Sequence, residues 1–220
     1  SSKGLVLTNH HCGYSQIQKQ SSMEHNYLKD GFWARSMDEE LKNPGLFVEQ
    51  LVYMEDVTNS LVNSGDKSRD IEAALIKAKE LENSDLIYKV VPFFNNNQFF
   101  LLATIKYNDV RLVGAPPSSI GKFGADTDNW VFPRHTGDFS LFRVYDENGS
   151  AFTPNQHLKV NIAPRTPGEF TMVFGYPGRT QEYLTAVEMD QLVNVENARR
   201  VEIRDVLLSI MDAEMRADAA

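Results

Sequence analysis

The residues best suited to chemistry stand at the two ends of one spacing. Asn9-His10-His11-Cys12 follows directly on Gly4-Leu5-Val6-Leu7-Thr8, a short apolar run that reads as a β-strand. Two of the five histidines therefore lie just past a strand end, where functional residues collect. Adjacent residues in a turn converge poorly on one metal ion, and no pair of histidines is spaced i, i+4 on a helix. A metal-dependent hydrolase built on His10, His11 and His25 stays open only as a third reading. A histidine acting as a base needs its far ring nitrogen held by a carboxylate from another strand. Asp138 is the candidate, 127 residues after His11, at the start of the apolar strand Phe139–Tyr145. A carboxylate entering a core strand is costly unless it is paired or hydrogen-bonded. The alternative is an aspartate that only caps a turn.

The stretch from Gly124 to Phe139 is the second dense one, with three aspartates, Trp130 and Arg134. Asp126-Thr127-Asp128-Asn129 has the spacing of a calcium loop but lacks that loop's glycine and closing glutamate.

The elements that must position these residues read mostly as strands. Strand patterns cover Leu46–Val57, Leu86–Phe94, Gln98–Tyr107, Val110–Val113, Phe139–Tyr145, Lys159–Ile162 and Phe170–Phe174. Asn95-Asn96-Asn97 reads as a turn and Asn108-Asp109 as a tight hairpin turn. Residues 15–45 read as irregular and polar, with turn chemistry at Asn43-Pro44-Gly45. A helical stripe of Ile71, Ala74, Leu75, Ala78 and Leu81 covers about 67–82, and from about Val187 the pattern is helical with two apolar rows. Short strands between turn signals point to an antiparallel barrel or sandwich.

Composition narrows the class. The 220 residues are 42% hydrophobic, enough to bury a core, and the net charge of −8 argues against a nucleic-acid footprint. No apolar run is long enough to span a membrane. Cys12 is the single cysteine, so no disulfide forms within the chain. The ends, Ser1-Ser2-Lys3-Gly4 opening on a strand and a helical pattern running to Ala220, read as those of a fragment of a longer protein.

Three segments carry a resemblance. Leu7-Thr8-Asn9-His10-His11-Cys12 and Asp138-Phe139-Ser140-Leu141 resemble the histidine and aspartate segments of chymotrypsin-like peptidases. With Asp30-Gly31-Phe32-Trp33-Ala34-Arg35-Ser36 and the run from Ala115 to Tyr145, they resemble more closely the bacterial dipeptidyl-peptidases 7 and 11. These are serine exopeptidases with a chymotrypsin-like double β-barrel and an inserted helical domain, and the likeness covers essentially the whole chain.

The resemblance implies a mostly β fold in three parts. Residues 1–160 would be the first barrel with a helical and strand insertion, 161–187 the start of a second barrel, and 188–220 the start of the helical domain. It implies a serine-type dipeptidyl peptidase that releases dipeptides from free N-termini, with no metal or organic cofactor. His11 would be the general base and Asp138 its orienting acid, while Asn129, Trp130 and Arg134 would line the site for the substrate's N-terminal end. An Asn carbonyl can accept from an ammonium, and a Trp face attracts a cation. Trp130 also reads as a core aromatic beside a turn, and Arg134 as a partner of Asp126 or Asp128. His10 reads as structural, His135 and His157 as surface or packing residues.

It further implies peptide partners, a homodimer of the full-length protein, a precursor with a signal peptide, and a periplasmic or cell-surface location. A cysteine upstream of the fragment would bond Cys12. The family's nucleophile lies in a Gly-x-Ser-type turn of the second barrel, far downstream, and this chain is expected to hold no such motif. Ser118 and Ser119 follow Pro116-Pro117, the wrong surroundings. The chain alone is therefore expected to be inactive. A peptide-binding protein that has lost catalysis is the second reading.

Overall fold

Period-2 alternation builds two antiparallel sheets in the first of the chain's two units, Ser1–Ile162. The structure, a computed structural model, describes residues 1–59, 86–125, 127–129, 131–172 and 183–217. In the first sheet β1 (Leu5–Thr8) pairs with β8 (Ser140–Tyr145), and β8 pairs with β7 (Asp109–Ala115). The short strands β2 (Phe32–Trp33) and β3 (Leu41–Lys42) both pair with β7. The second sheet has the order β4 (Val48–Asp56), β6 (Gln98–Tyr107), β5 (Ile87–Phe93).

Each sheet buries one face. Val110, Leu112, Phe142 and Val144 turn inward from the first sheet, and Ile17 packs into the cluster of the first three with Ala115. Tyr88, Phe99, Leu101 and Ala103 form the core of the second with Val57. A buried ion pair ties β3's neighbourhood to β8. Arg143 Nε donates to Glu40 Oε1 at 2.8 Å, and the Tyr145 hydroxyl donates to Glu40 Oε2 at 2.7 Å.

Three expectations change. Asn108 does not turn a hairpin, because β6 and β7 lie in different sheets. One residue separates the two strands, so the chain bends at Asn108 and switches sheet, as strands do at sheet corners. Residues 15–45 are not irregular. They hold most of α1 (His10–Gln20), then α2 (Tyr27–Asp30), β2, a 3-10 turn at Met37–Glu39 and β3. Lys159–Ile162 is irregular and exposed rather than a strand, with no strand pairing to it among the described residues. Among those residues the strands form two open sheets and no closed barrel. The expected helix over 67–82 lies outside the described residues; of the expected strand Phe170–Phe174, residues 170–172 are irregular and exposed rather than strand and the rest lies outside them.

The second unit, Ala163–Ala220, is helical where it is described beyond Thr185. Thr185 and Glu188 close a capping box on α4 (Ala186–Gln191). A π-helical turn, Leu192–Asn197, leads into α5 (Ala198–Ala217). No helix among the described residues is long and apolar enough to cross a membrane.

Candidate active site

The site starts where β1 ends. Asn9 has extended backbone and occupies the N-cap position of α1, but its side chain does not cap the helix. Instead its amide Nδ2 donates to the backbone carbonyl of Asp138 at 3.1 Å and reaches Oδ2 at 3.4 Å. The capping acceptor comes from 127 residues along the chain, since Asp138 Oδ1 accepts from the backbone N–H of His11 at 3.0 Å. A carboxylate there satisfies an otherwise orphan donor and faces the positive end of the helix dipole.

The other carboxylate oxygen meets the ring. His11 Nδ1 lies 2.6 Å from Asp138 Oδ2, a short charge-assisted contact. The aspartate side chain is only 17% exposed, whereas the histidine side chain is 69% exposed. With Nδ1 held by the acid, Nε2 is left for exchange of a proton with a ligand. Burial pushes the Asp138 carboxyl up, but the His11 backbone N–H, the His11 ring and its charge, and the His10 N–H outweigh it. The carboxyl is held below the ordinary aspartate value of 3.8 and stays ionised.

Close packing keeps α1 in this place. His10, Gly13 and Ile17 form its buried stripe. A Cβ at Gly13 would stand 2.7 Å from Ser140 Oγ and 3.1 Å from the Phe142 ring, so only glycine lets the helix approach β8. Ser140 is fully buried, and its hydroxyl donates to the Asn9 carbonyl at 2.9 Å. His10 is 1% exposed and its Nε2 is buried without a hydrogen-bond partner. Burial, which outweighs the attraction of Asp138 and a hydrogen bond to the Pro116 carbonyl, lowers its pKa from 6.5. A Cβ on Gly121, at the end of α3 (Ser118–Gly121), would collide with the His10 ring. Thr136 Oγ1 bonds the Ile120 carbonyl at 3.1 Å, and Gly137 N–H donates to the same oxygen at 3.0 Å. The loop before Asp138 is thereby laid against α3. An open cleft of about 450 Å³, lined by Ser119, Ile120, Phe123 and residues 135–137, borders it.

The sequence-predicted residues fall into two groups. The structure brings His11 and Asp138 together. Asn129 and Arg134 also meet, with Arg134 Nη1 donating to Asn129 Oδ1 at 2.9 Å. Trp130 and Asp126 lie outside the described residues. His25 is not near a metal-type cluster but stacks on Tyr27, with ring centroids 6.1 Å apart. Among the described residues no three His, Cys, Asp or Glu side chains could share a metal ion. Cys12 is exposed and free in this chain. The chain's Gly-x-Ser sequence, Gly13-Tyr14-Ser15, is helical rather than a strained turn.

Sequence reasoning missed Asn9 and Ser140. Asn9 carries an N-cap signal that is unreadable until α1 is recognised, and Ser140 looks like an ordinary polar interruption of an apolar strand.

A base held by an ionised, half-enclosed acid at a strand end is the arrangement used by hydrolases that activate a nucleophile. The chain belongs to the peptidase S46 family, which it matches over residues 1–220. It is 47% identical over 242 residues to the Asp/Glu-specific dipeptidyl-peptidase of Capnocytophaga gingivalis, covering 99% of this chain and 33% of that protein. It is 44% identical over 241 residues to dipeptidyl-peptidase 7 of Phocaeicola vulgatus, covering 99% and 33%. The crystal structure of Porphyromonas endodontalis DPP11 in complex with the dipeptide Arg-Glu is similar, with a TM-score of 0.83 at 43% identity, covering 99% of this chain and 35% of that one. The chain spans about a third of the length of these relatives.

Proposed function

We propose that the full-length protein is a serine-type dipeptidyl peptidase that releases dipeptides from free N-termini of oligopeptides. His11 is its general base and Asp138 the acid that orients it. The observation that carries this reading is the 2.6 Å contact of His11 Nδ1 with Asp138, which presents Nε2 from an exposed ring. The names of the S46 relatives supply the reaction class.

In this mechanism His11 Nε2 takes the proton of a serine hydroxyl supplied by the rest of the protein. That serine attacks the carbonyl of the second substrate residue. Asp138 stabilises the imidazolium, His11 then protonates the leaving amine, and water hydrolyses the acyl-enzyme. Asn129, Trp130 and Arg134 line the site for the substrate's N-terminal end, where the Asn129 carbonyl accepts from the ammonium and Arg134 fixes the Asn129 amide. No cofactor takes part. In this reading the chain opens a chymotrypsin-like double barrel, with the first barrel over 1–160, the start of the second over 161–187 and the start of a helical domain over 188–220. The protein works as a homodimer in the periplasm or at the cell surface, where Cys12 pairs with a cysteine outside this chain.

The test is a panel of fluorogenic dipeptides, with free and acetylated N-termini, assayed on the full-length protein beside His11→Ala. The expected result is cleavage of free substrates alone, abolished in the variant. The 220-residue chain by itself should show no serine-dependent hydrolysis. No cleavage by a well-folded full-length protein would overturn the peptidase reading and leave a peptide-binding scaffold.

A further inference from the structure

The segment Gly31-Phe32-Trp33 has no part in the mechanism above, yet its side chains reach both elements that carry the site. Phe32 pairs with Ala115 and Trp33 with Gly114 across β2 and β7. The Phe32 ring turns to the inner face and packs on the core that contains Ile17. Trp33 turns to the outer face, where it stays 52% exposed.

The register explains what Trp33 does there. β7 pairs with β8 as Leu112↔Phe142 and then Gly114↔Leu141, with a bulge between Leu112 and Gly114. The bulge consumes one residue and so moves Gly114 from the inner face to the outer one. The indole covers that glycine, and a Cβ there would stand 2.5 Å from its Cε3 atom. Through this gap Trp33 reaches the Phe139 ring, at 6.0 Å between centroids and 43° between planes.

Phe139 and Leu141 share the outer face, while Asp138 and Ser140 point inward, to His11 and to the Asn9 carbonyl. Asp138 and Phe139 lie just before β8, so pinning Phe139 on one face fixes the backbone from which Asp138 points to the other. We propose that Trp33 is a positioning residue for Asp138, acting through Phe139 across the glycine gap in β7. It touches neither substrate nor His11, since it lies on the opposite face of the sheet. The inference rests on the reading of His11 and Asp138 as a catalytic pair.

The test uses the full-length protein and three variants, Trp33→Ala, Trp33→Phe and Gly114→Ala. Two readouts are taken: steady-state kinetics on a free dipeptide substrate, and the downfield proton resonance of the His11–Asp138 hydrogen bond, assigned by its loss in Asp138→Asn. Trp33→Ala should lower kcat by about 10- to 100-fold, the range a displacement approaching 1 Å produces, with KM little changed. It should also shift or broaden the resonance. Trp33→Phe should recover most of both, and Gly114→Ala, which drives a methyl into the indole, should reproduce the loss. An unchanged resonance in folded Trp33→Ala and Gly114→Ala would overturn the proposal, as would a rise in KM with kcat unchanged, which would mark Trp33 as a substrate contact. If the wild type cleaves no dipeptide, the peptidase reading fails, and the resonance still decides whether Trp33 positions the pair.

Discussion

Asp138→Asn separates two jobs that one carboxylate performs. Oδ1 accepts from the His11 backbone N–H and so caps α1, while Oδ2 holds His11 Nδ1. An Asn amide keeps a carbonyl oxygen for the cap but places an NH2 group against Nδ1. Nδ1 must then accept, and the ring proton moves to Nε2, the wrong tautomer for a base. The same swap in a serine-protease triad lowers kcat about 10⁴-fold. Four decades correspond to about 5 kcal/mol of transition-state stabilisation. Folding should suffer far less, because the cap survives. What is lost is one charge-assisted bond to a ring that is 69% exposed, so the cost should be about 1 kcal/mol. Asp138→Ala removes the cap acceptor as well and should cost about 1 kcal/mol more. The assay pairs kcat/KM on a free dipeptide with urea denaturation of the full-length protein and both variants. Activity of Asp138→Asn within tenfold of wild type would refute the reasoning. So would equal stability of the Asn and Ala variants, because Asp138 would then not be capping α1.

Other outcomes follow from the same packing. Gly13→Ala, which in an exposed helix would add up to about 1 kcal/mol of stability, should instead destabilise by about 1–3 kcal/mol, because its methyl meets Ser140 and Phe142; urea midpoints decide the sign. Arg143→Met should cost about 3–5 kcal/mol by stranding the Glu40 carboxylate, whose side chain is 2% exposed, and adding Glu40→Leu should recover much of that loss. Two groups should shape acid denaturation. The lowered pKa of His10 means that the unfolded chain binds its proton more tightly, so stability present above about pH 6.5 should begin to fall below it; His10→Gln should flatten that limb. The lowered pKa of Asp138 should remove further stability as the pH drops below about 3.8, a limb absent in Asp138→Asn.

Some of this molecule was legible in its order of residues. The alternation in β6 and β8, the apolar β-prone runs of β4 and β5, the asparagine turn after Phe93 and the helix after Thr185 are written in neighbouring residues, so local physics suffices to read them. The chemical types of His11 and Asp138 also nominated them as a pair, and the match to S46 peptidases followed from contiguous motifs. Other features depend on residues far apart in the chain. Helix α1 escaped reading because its buried stripe is His10, Gly13 and Ile17, which carries little hydrophobic signal. Its cap acceptor lies 127 residues away, and the close approach that makes Gly13 worthwhile is to β8. The supposed hairpin at Asn108 failed for a related reason. Turn chemistry there is compatible with a reversal or a bend, and pairing with β8 rather than β6 decided between them. Thus the sequence alone determined which residues could do the chemistry. Only tertiary structure decided that Asp138 meets both the backbone and the ring of His11, because that contact depends on the pairing of β8 with β1, which brings together residues 127 apart and is not a property of any local stretch.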